Sequence, residues 1–140
     1  MSGNALWQYR WSDEFALGDP VVDAQHRAFF EEAAALRTAL ASEEPKDEIV
    51  SYCAAFIANL RAHFADEERL MQRIGFPALA IHRQEHERLL ARTEEVVAEI
   101  HAADCLIDCL LGVHSLMEAL VEHVTNQDMR IKTFMPRQCA

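Results

Sequence analysis

The chain of 140 residues has room for one domain, and with 51% apolar residues it can bury one core. Its formal net charge of −10 argues against a nucleic-acid backbone or an anionic membrane surface as partner. Gly and Pro are few, four of each, and strand-like runs are missing while Ala, Leu, Glu and Arg dominate, so an all-α fold is expected.

No stretch approaches the roughly 20 apolar residues of a membrane span, and no signal-peptide pattern opens the chain, so a cytoplasmic protein is expected. Cys53, Cys105, Cys109 and Cys139 lack a CxxC spacing and are expected to be free thiols with packing roles.

Residues 1–18 place Trp7, Trp11, Phe15 and Leu17 among polar residues without a helical period, and Gly18-Asp19-Pro20 marks a turn. An N-terminal aromatic arm laid over the domain is the expected arrangement. From there Val22, His26, Phe29, Ala33, Leu36 and Leu40 step by 4 and 3, the seam of a bundle helix over about 20–41. Pro45 followed by Lys-Asp-Glu opens a second helix over about 46–74, whose seam is Ile49, Cys53, Phe56, Leu60, His63, Glu67, Leu70 and Ile74. Gly75 is expected in a left-handed cap, and Pro77 blocks continuation. The third seam, Leu79, His82, His86, Leu89, Thr93, Val96 and Ile100, predicts a helix over about 78–102. Asp104 is expected to cap a fourth helix, about 105–133, with the seam Leu106, Cys109, Val113, Leu116, Leu120 and His123. Four such helices joined by short loops predict an up-down-up-down four-helix bundle occupying residues 1–140 as one domain.

The ligand types fall on the inward face. His26, His63, Glu67, His82, His86 and His123 all occupy seam positions, and no Lys or Arg does. A single seam His is ordinarily a hydrogen-bonded core residue. Five together with an uncompensated Glu67 call for a cation, because a buried carboxylate without a partner costs several kcal/mol. Residues late in helices two and four meet residues early in helices one and three, so these side chains converge at one end of the bundle. Cys53 and Cys109 lie roughly 15 to 21 Å away at 1.5 Å per residue. His63, Glu67, His82 and His86 alone would also suit a single zinc.

The pattern of His26 on the first helix, His63-x-x-x-Glu67 on the second, His82-x-x-x-His86 on the third and His123-x-x-x-x-Asp128 on the fourth resembles the hemerythrin family in its single-domain bacterial form. The resemblance covers nearly the whole chain, including Asp23-Ala-Gln25-His26, Glu68-Arg-Leu-Met71 and the aromatic arm. It implies two iron ions joined by an oxo or hydroxo bridge. His82, His86 and His123 would bind one, His26 and His63 the other, and Glu67 and Asp128 would bridge both. The second iron is then one ligand short, which leaves a place for dioxygen. The implied function is reversible O2 binding for transport, storage or delivery to an O2-consuming enzyme, by a monomer that is not itself an enzyme. An O2, NO or redox sensor and a peroxide- or NO-reducing enzyme are the alternatives, and the same donors would accept zinc or manganese. Five nitrogens to two carboxylates, with no accompanying base or nucleophile, favour binding over oxygenation.

His123 and Asp128 are five residues apart, which on a regular α-helix separates them by about 140°. A π-bulge around Val124–Gln127 is therefore expected, swinging Asp128 into the seam. Phe29, Phe30, Phe64, Leu116, Leu120 and Val124 are expected to wall the pocket. Family members often carry a Trp one turn before the last His, where this chain has Ala119, a gap that Trp7 or Trp11 would have to fill. His101 and His114 are expected in ordinary surface roles.

Overall fold

The computed structural model describes residues 11–135. A single 3-10 turn at Asp13–Phe15 leads into α1 (Pro20–Ala41), α2 (Lys46–Ile74) and α3 (Leu79–Ala102). The fourth rod is composite: a 3-10 turn at Leu106–Cys109, α4 (Leu110–Glu122), a π-helical turn at His123–Gln127 and α5 (Met129–Lys132). The rods form an all-α four-helix bundle, with no strand among the described residues. No helix among them is long and apolar enough to cross a membrane.

The helix ends follow local chemistry. The Asp19 carboxylate accepts from the backbone N–H of Val21 and Val22, both at 3.0 Å, and Pro20 fills the first helical position. One turn on, Asp23 accepts from Leu17 N–H at 2.7 Å and Gly18 N–H at 3.1 Å, which fastens the incoming arm to α1. Gly75 ends α2 with φ of 70°, and Phe76 N–H reaches back to the Met71 carbonyl at 2.9 Å. The Lys46 ammonium at the start of α2 donates to the carbonyls of His101 and Ala103, at 2.6 and 2.7 Å, so one residue closes the end of α3 and ties it to α2.

The expected Asp104 cap is not how the fourth rod begins. Cys105 precedes the first turn, no side chain caps it, and Asp108 N–H bonds to the Cys105 carbonyl at 3.2 Å in the tighter i to i+3 pattern. That winding buries Cys109 and leaves Ile107 exposed.

Two apolar clusters fill the bundle. The larger runs from Phe29, Phe30 and Phe64 through Leu60, Leu89, Leu116 and Val124 to Ile49 and Ile100 at the loop end. The smaller, Leu17, Val22, Leu70, Met71, Phe76 and Ile131, closes the opposite end. Along every rod the buried imidazoles and carboxylates lie between the two clusters: His26 on α1, His63 and Glu67 on α2, His82 and His86 on α3, and His123 with Asp128 on the fourth rod. Trp11 meets Phe15 and Phe30 edge-on at ring distances of 6.2 and 6.3 Å, so the described part of the arm does lie on α1. Trp7 and Cys139 fall outside the described residues.

Candidate metal centre

The seven residues singled out by the sequence form one buried layer. Their side chains make two overlapping groups, Glu67, His82, His86, His123 and Asp128 in one and His26, His63, Glu67 and Asp128 in the other, with donor atoms within 4.8 Å of one another in each. His26, Glu67 and Asp128 are 0% exposed, so nothing in solvent compensates the carboxylates.

The two carboxylates divide their oxygens between the groups. Glu67 Oε1 lies 3.0 Å from His82 Nε2 and 2.9 Å from His86 Nε2, whereas Oε2 lies 3.2 Å from His26 Nε2 and 3.4 Å from His63 Nε2. Asp128 repeats the division, with Oδ1 at 2.9 and 3.0 Å from the Nε2 atoms of His82 and His123 and Oδ2 at 3.1 Å from His26 Nε2. Each carboxylate thus turns one oxygen toward the His82, His86 and His123 side and the other toward the His26 and His63 side. That is the arrangement two bridging carboxylates require.

Asp128 reaches the layer through the π turn. Its N–H bonds to the His123 carbonyl, five residues back, at 2.8 Å, and the wider turn brings the side chain onto the His123 face. The Thr125 hydroxyl donates to the Val121 carbonyl at 2.9 Å inside the same stretch.

Whether the layer suits a cation can be read from its hydrogen bonds. His86 Nδ1 donates to Glu68 Oε2 at 2.8 Å and His63 Nδ1 donates to Gln25 Oε1 at 3.1 Å. In their neutral forms both rings therefore turn a bare Nε2 lone pair inward, toward carboxylate oxygens 2.9 and 3.4 Å away. His86 Nε2 also lies 3.1 Å from His123 Nε2. Acceptors held that close need a proton or a metal between them. His63 Nε2 and Asp128 Oδ2 are buried without a partner in hydrogen-bond geometry although other ligand atoms lie near. Groups that crowd together without aligning on one another fit donors aimed at shared points between them.

Without metal, protons take this role. Burial pulls the imidazoles down, but the Asp128 and Glu67 carboxylates outweigh it and hold His26 and His82 at about 9 and His123 at about 10. Burial dominates at His63 and lowers it to about 4, which keeps that ring neutral. For Glu67 and Asp128 burial acts upward, yet the surrounding imidazoles hold both well below the usual carboxylate range. The metal-free layer at pH 7 is then an ionic cluster with His26, His82 and His123 protonated. Metal uptake must expel those protons, so affinity rises with pH until about 9 to 10 and falls as pH is lowered. Titration calorimetry of Fe(II) in buffers of different ionisation enthalpy is expected to register about three protons released when the whole layer is filled at pH 7, one from the two-His half and two from the three-His half. Uptake without proton release would show that the cluster is not the metal site.

Apolar residues seal the layer. Phe64 stacks on His86 at 3.9 Å with 8° between the rings and meets His123 edge-on at 6.0 Å. Phe29, Phe30, Leu116, Leu120 and Val124 are buried in the adjoining cluster, and Ala119 is half-buried against it. His101 is exposed, while His114 lies 3.1 Å from Glu118 on its own helix and away from the layer.

Residue types alone assigned no role to the polar side chains that stand behind the ligands. Gln25 bonds His63 outwardly and donates its own amide to Asp66 at 2.6 Å, and Asp66 pairs with Arg69. Glu68 holds His86 and accepts from Arg83 at 3.0 Å. Gln25 and Glu68 each adjoin a ligand type in the chain, His26 and Glu67, and that adjacency is the signal available before the fold is known.

Comparison with known proteins agrees with the geometry. Residues 17–134 match the family model described as the hemerythrin HHE cation binding domain. A bacteriohemerythrin of Ralstonia nicotianae is 35% identical over 129 residues, covering 92% of this chain and 90% of that protein. A bacteriohemerythrin of Stenotrophomonas maltophilia is 32% identical over 84% of this chain and 75% of its own length. A myohemerythrin of Riftia pachyptila is 28% identical over 89% of this chain and 91% of its own.

Proposed function

The chain belongs to the hemerythrin family, whose domain holds a di-iron centre, and from that premise we propose that it binds dioxygen reversibly, for transport, storage or delivery. His82, His86 and His123 would hold one iron and His26 and His63 the other, with Glu67 and Asp128 shared between them. The iron pair supplies the redox chemistry on which O2 binding draws.

The observation that carries this reading is the unequal division of five imidazoles between carboxylates that face both ways. The chain offers five donors on the three-His side and four on the two-His side, so the two-His side is where a small ligand would have a place. The chain's own residues then act by holding and excluding. Glu67 and Asp128 fix the spacing of the two halves, Phe64 locks the His86 ring, and Phe29, Phe30, Leu120 and Val124 keep bulk water and its protons away. The donor set, five imidazoles to two carboxylates, supports binding over turnover.

The test is spectroscopic. Iron-loaded, reduced protein exposed to air is expected to gain a visible charge-transfer band that disappears when O2 is pumped off and returns on readmission, with one O2 taken up per two irons. Irreversible oxidation on first exposure, or steady consumption of peroxide or NO, would replace the carrier reading with an enzymatic one.

A further inference from the structure

The two halves of the layer differ in the groups that stand behind their ligands. At the three-His half, His86 Nδ1 donates to a carboxylate, Glu68, at 2.8 Å. Glu68 is held in turn by the Arg83 guanidinium at 3.0 Å, and the ring between is clamped by Phe64. At the two-His half, His63 Nδ1 donates at 3.1 Å to the neutral amide oxygen of Gln25. The Gln25 amide nitrogen is committed to Asp66 at 2.6 Å, which fixes which end of the amide faces the ring. His26 Nδ1 and His123 Nδ1 have no such partner.

An anionic acceptor behind an imidazole pushes electron density to the opposite nitrogen and strengthens it as a donor, and a neutral amide does so much less. We propose that Glu68 and Gln25 are positioning residues that set unequal metal affinities in the two halves: Glu68 makes the three-His half the retained one, and Gln25 orients His63 while leaving the two-His half exchangeable.

Access does not account for such a difference. A cleft of about 280 Å³ between α1 and α2, walled by Gln25, Phe29, Leu60 and His63, reaches one half. A cleft of about 210 Å³ walled by Phe76, Ile81 and His82 reaches the other, and His63 and His82 are equally exposed at 5%. The three-His half also has one more imidazole, so the share of the outer partners is read from variants that change them and leave every ligand in place.

This inference rests on the dinuclear reading but not on O2 binding, and a redox-silent probe tests it alone. The full chain is stripped, loaded with two equivalents of Co(II) and challenged with excess EDTA while the visible spectrum is followed. The native protein is expected to lose cobalt in two phases, one ion in each, and His63→Ala to lack the fast one. Glu68→Gln, which keeps the shape and removes the charge, is expected to speed the slow phase about 10- to 100-fold and leave the fast phase in place. Gln25→Leu is expected to speed only the fast phase. Arg83→Gln, which leaves the ligand partners in place and frees Glu68, gives a smaller change in the slow phase and serves if Glu68→Gln folds poorly. Loss of both ions in one phase, or equal acceleration of both phases by Glu68→Gln, would overturn the split while leaving the dinuclear reading standing. Uptake of a single ion would overturn both.

Discussion

Glu67→Gln is expected to leave the bundle folded when stripped and almost unable to hold metal. The side chain is fully buried, with one oxygen against His82 and His86 and the other against His26 and His63. Gln fills the same volume but must present its NH2 to one of the two groups, where it meets inward lone pairs as a donor and takes the place of a cation. In the stripped protein the imidazoles can shed protons to offset the lost carboxylate charge, but a bound cation cannot, and a loss of about 3–5 kcal/mol confined to the metal-bound state corresponds to roughly a hundred- to several-thousand-fold in affinity. Iron measured after gel filtration should fall from two per chain to one or none, and the rise in Tm that iron gives the native protein should largely vanish. Retention of two irons with the native stabilisation would remove Glu67 from the site.

The second large effect concerns the spacing of the fourth rod. Inserting one Ala after Asn126 is expected to abolish iron binding. Each added residue rotates the downstream part of the rod by about 100°, so Asp128 leaves the layer and Ile131, 0% exposed, leaves the small apolar cluster. Exposing Ile131 alone costs about 1.5–3 kcal/mol, visible as a lower Tm even without metal. Deleting Asn126 is expected to do the opposite. A π turn is an α-helix carrying one extra residue, so removal restores i to i+4 bonding and leaves the acid one regular turn from His123, as Glu67 stands to His63. The deletion protein should keep two irons. If the insertion kept its iron, or the deletion lost it, the π turn would not be what aims Asp128.

This pair of variants also marks what was legible beforehand. A five-residue step between His123 and Asp128 cannot share a face on a regular helix, and the mismatch itself located the π turn. The seam positions were equally readable, because buried residues recur at 3 and 4 whether they are Leu or His: Val22, His26, Phe29, Ala33, Leu36 and Leu40 are all buried. Gln25, Asp66, Glu68 and Arg83 were not readable as functional. They sit on helix flanks, where a polar residue is ordinary, and only the cross-helix distances give Gln25 to His63 and Glu68 to His86 their meaning. The start of the fourth rod was misread because Asp104 is a good cap by residue type, while the tighter turn places Cys105 at that position. Phe76, between the helix-stopping Gly75 and Pro77, carried no expectation, yet it is buried in the small cluster beneath the layer.

The placement of the ionic layer between two apolar clusters of unequal size has a consequence for cooperativity. The large cluster joins all four rods, whereas the small one draws on six buried residues from the arm, the ends of α1 and α2, the Phe76 turn and α5. Its connection to the rest of the core runs through the charged side chains. Amide protons around Leu17, Phe76 and Ile131 are therefore expected to exchange by a local opening whose free energy tracks metal occupancy. Amides around Ile49, Val96 and Val113 should report global unfolding instead. Iron supply is then written into the lifetime of one end of the bundle.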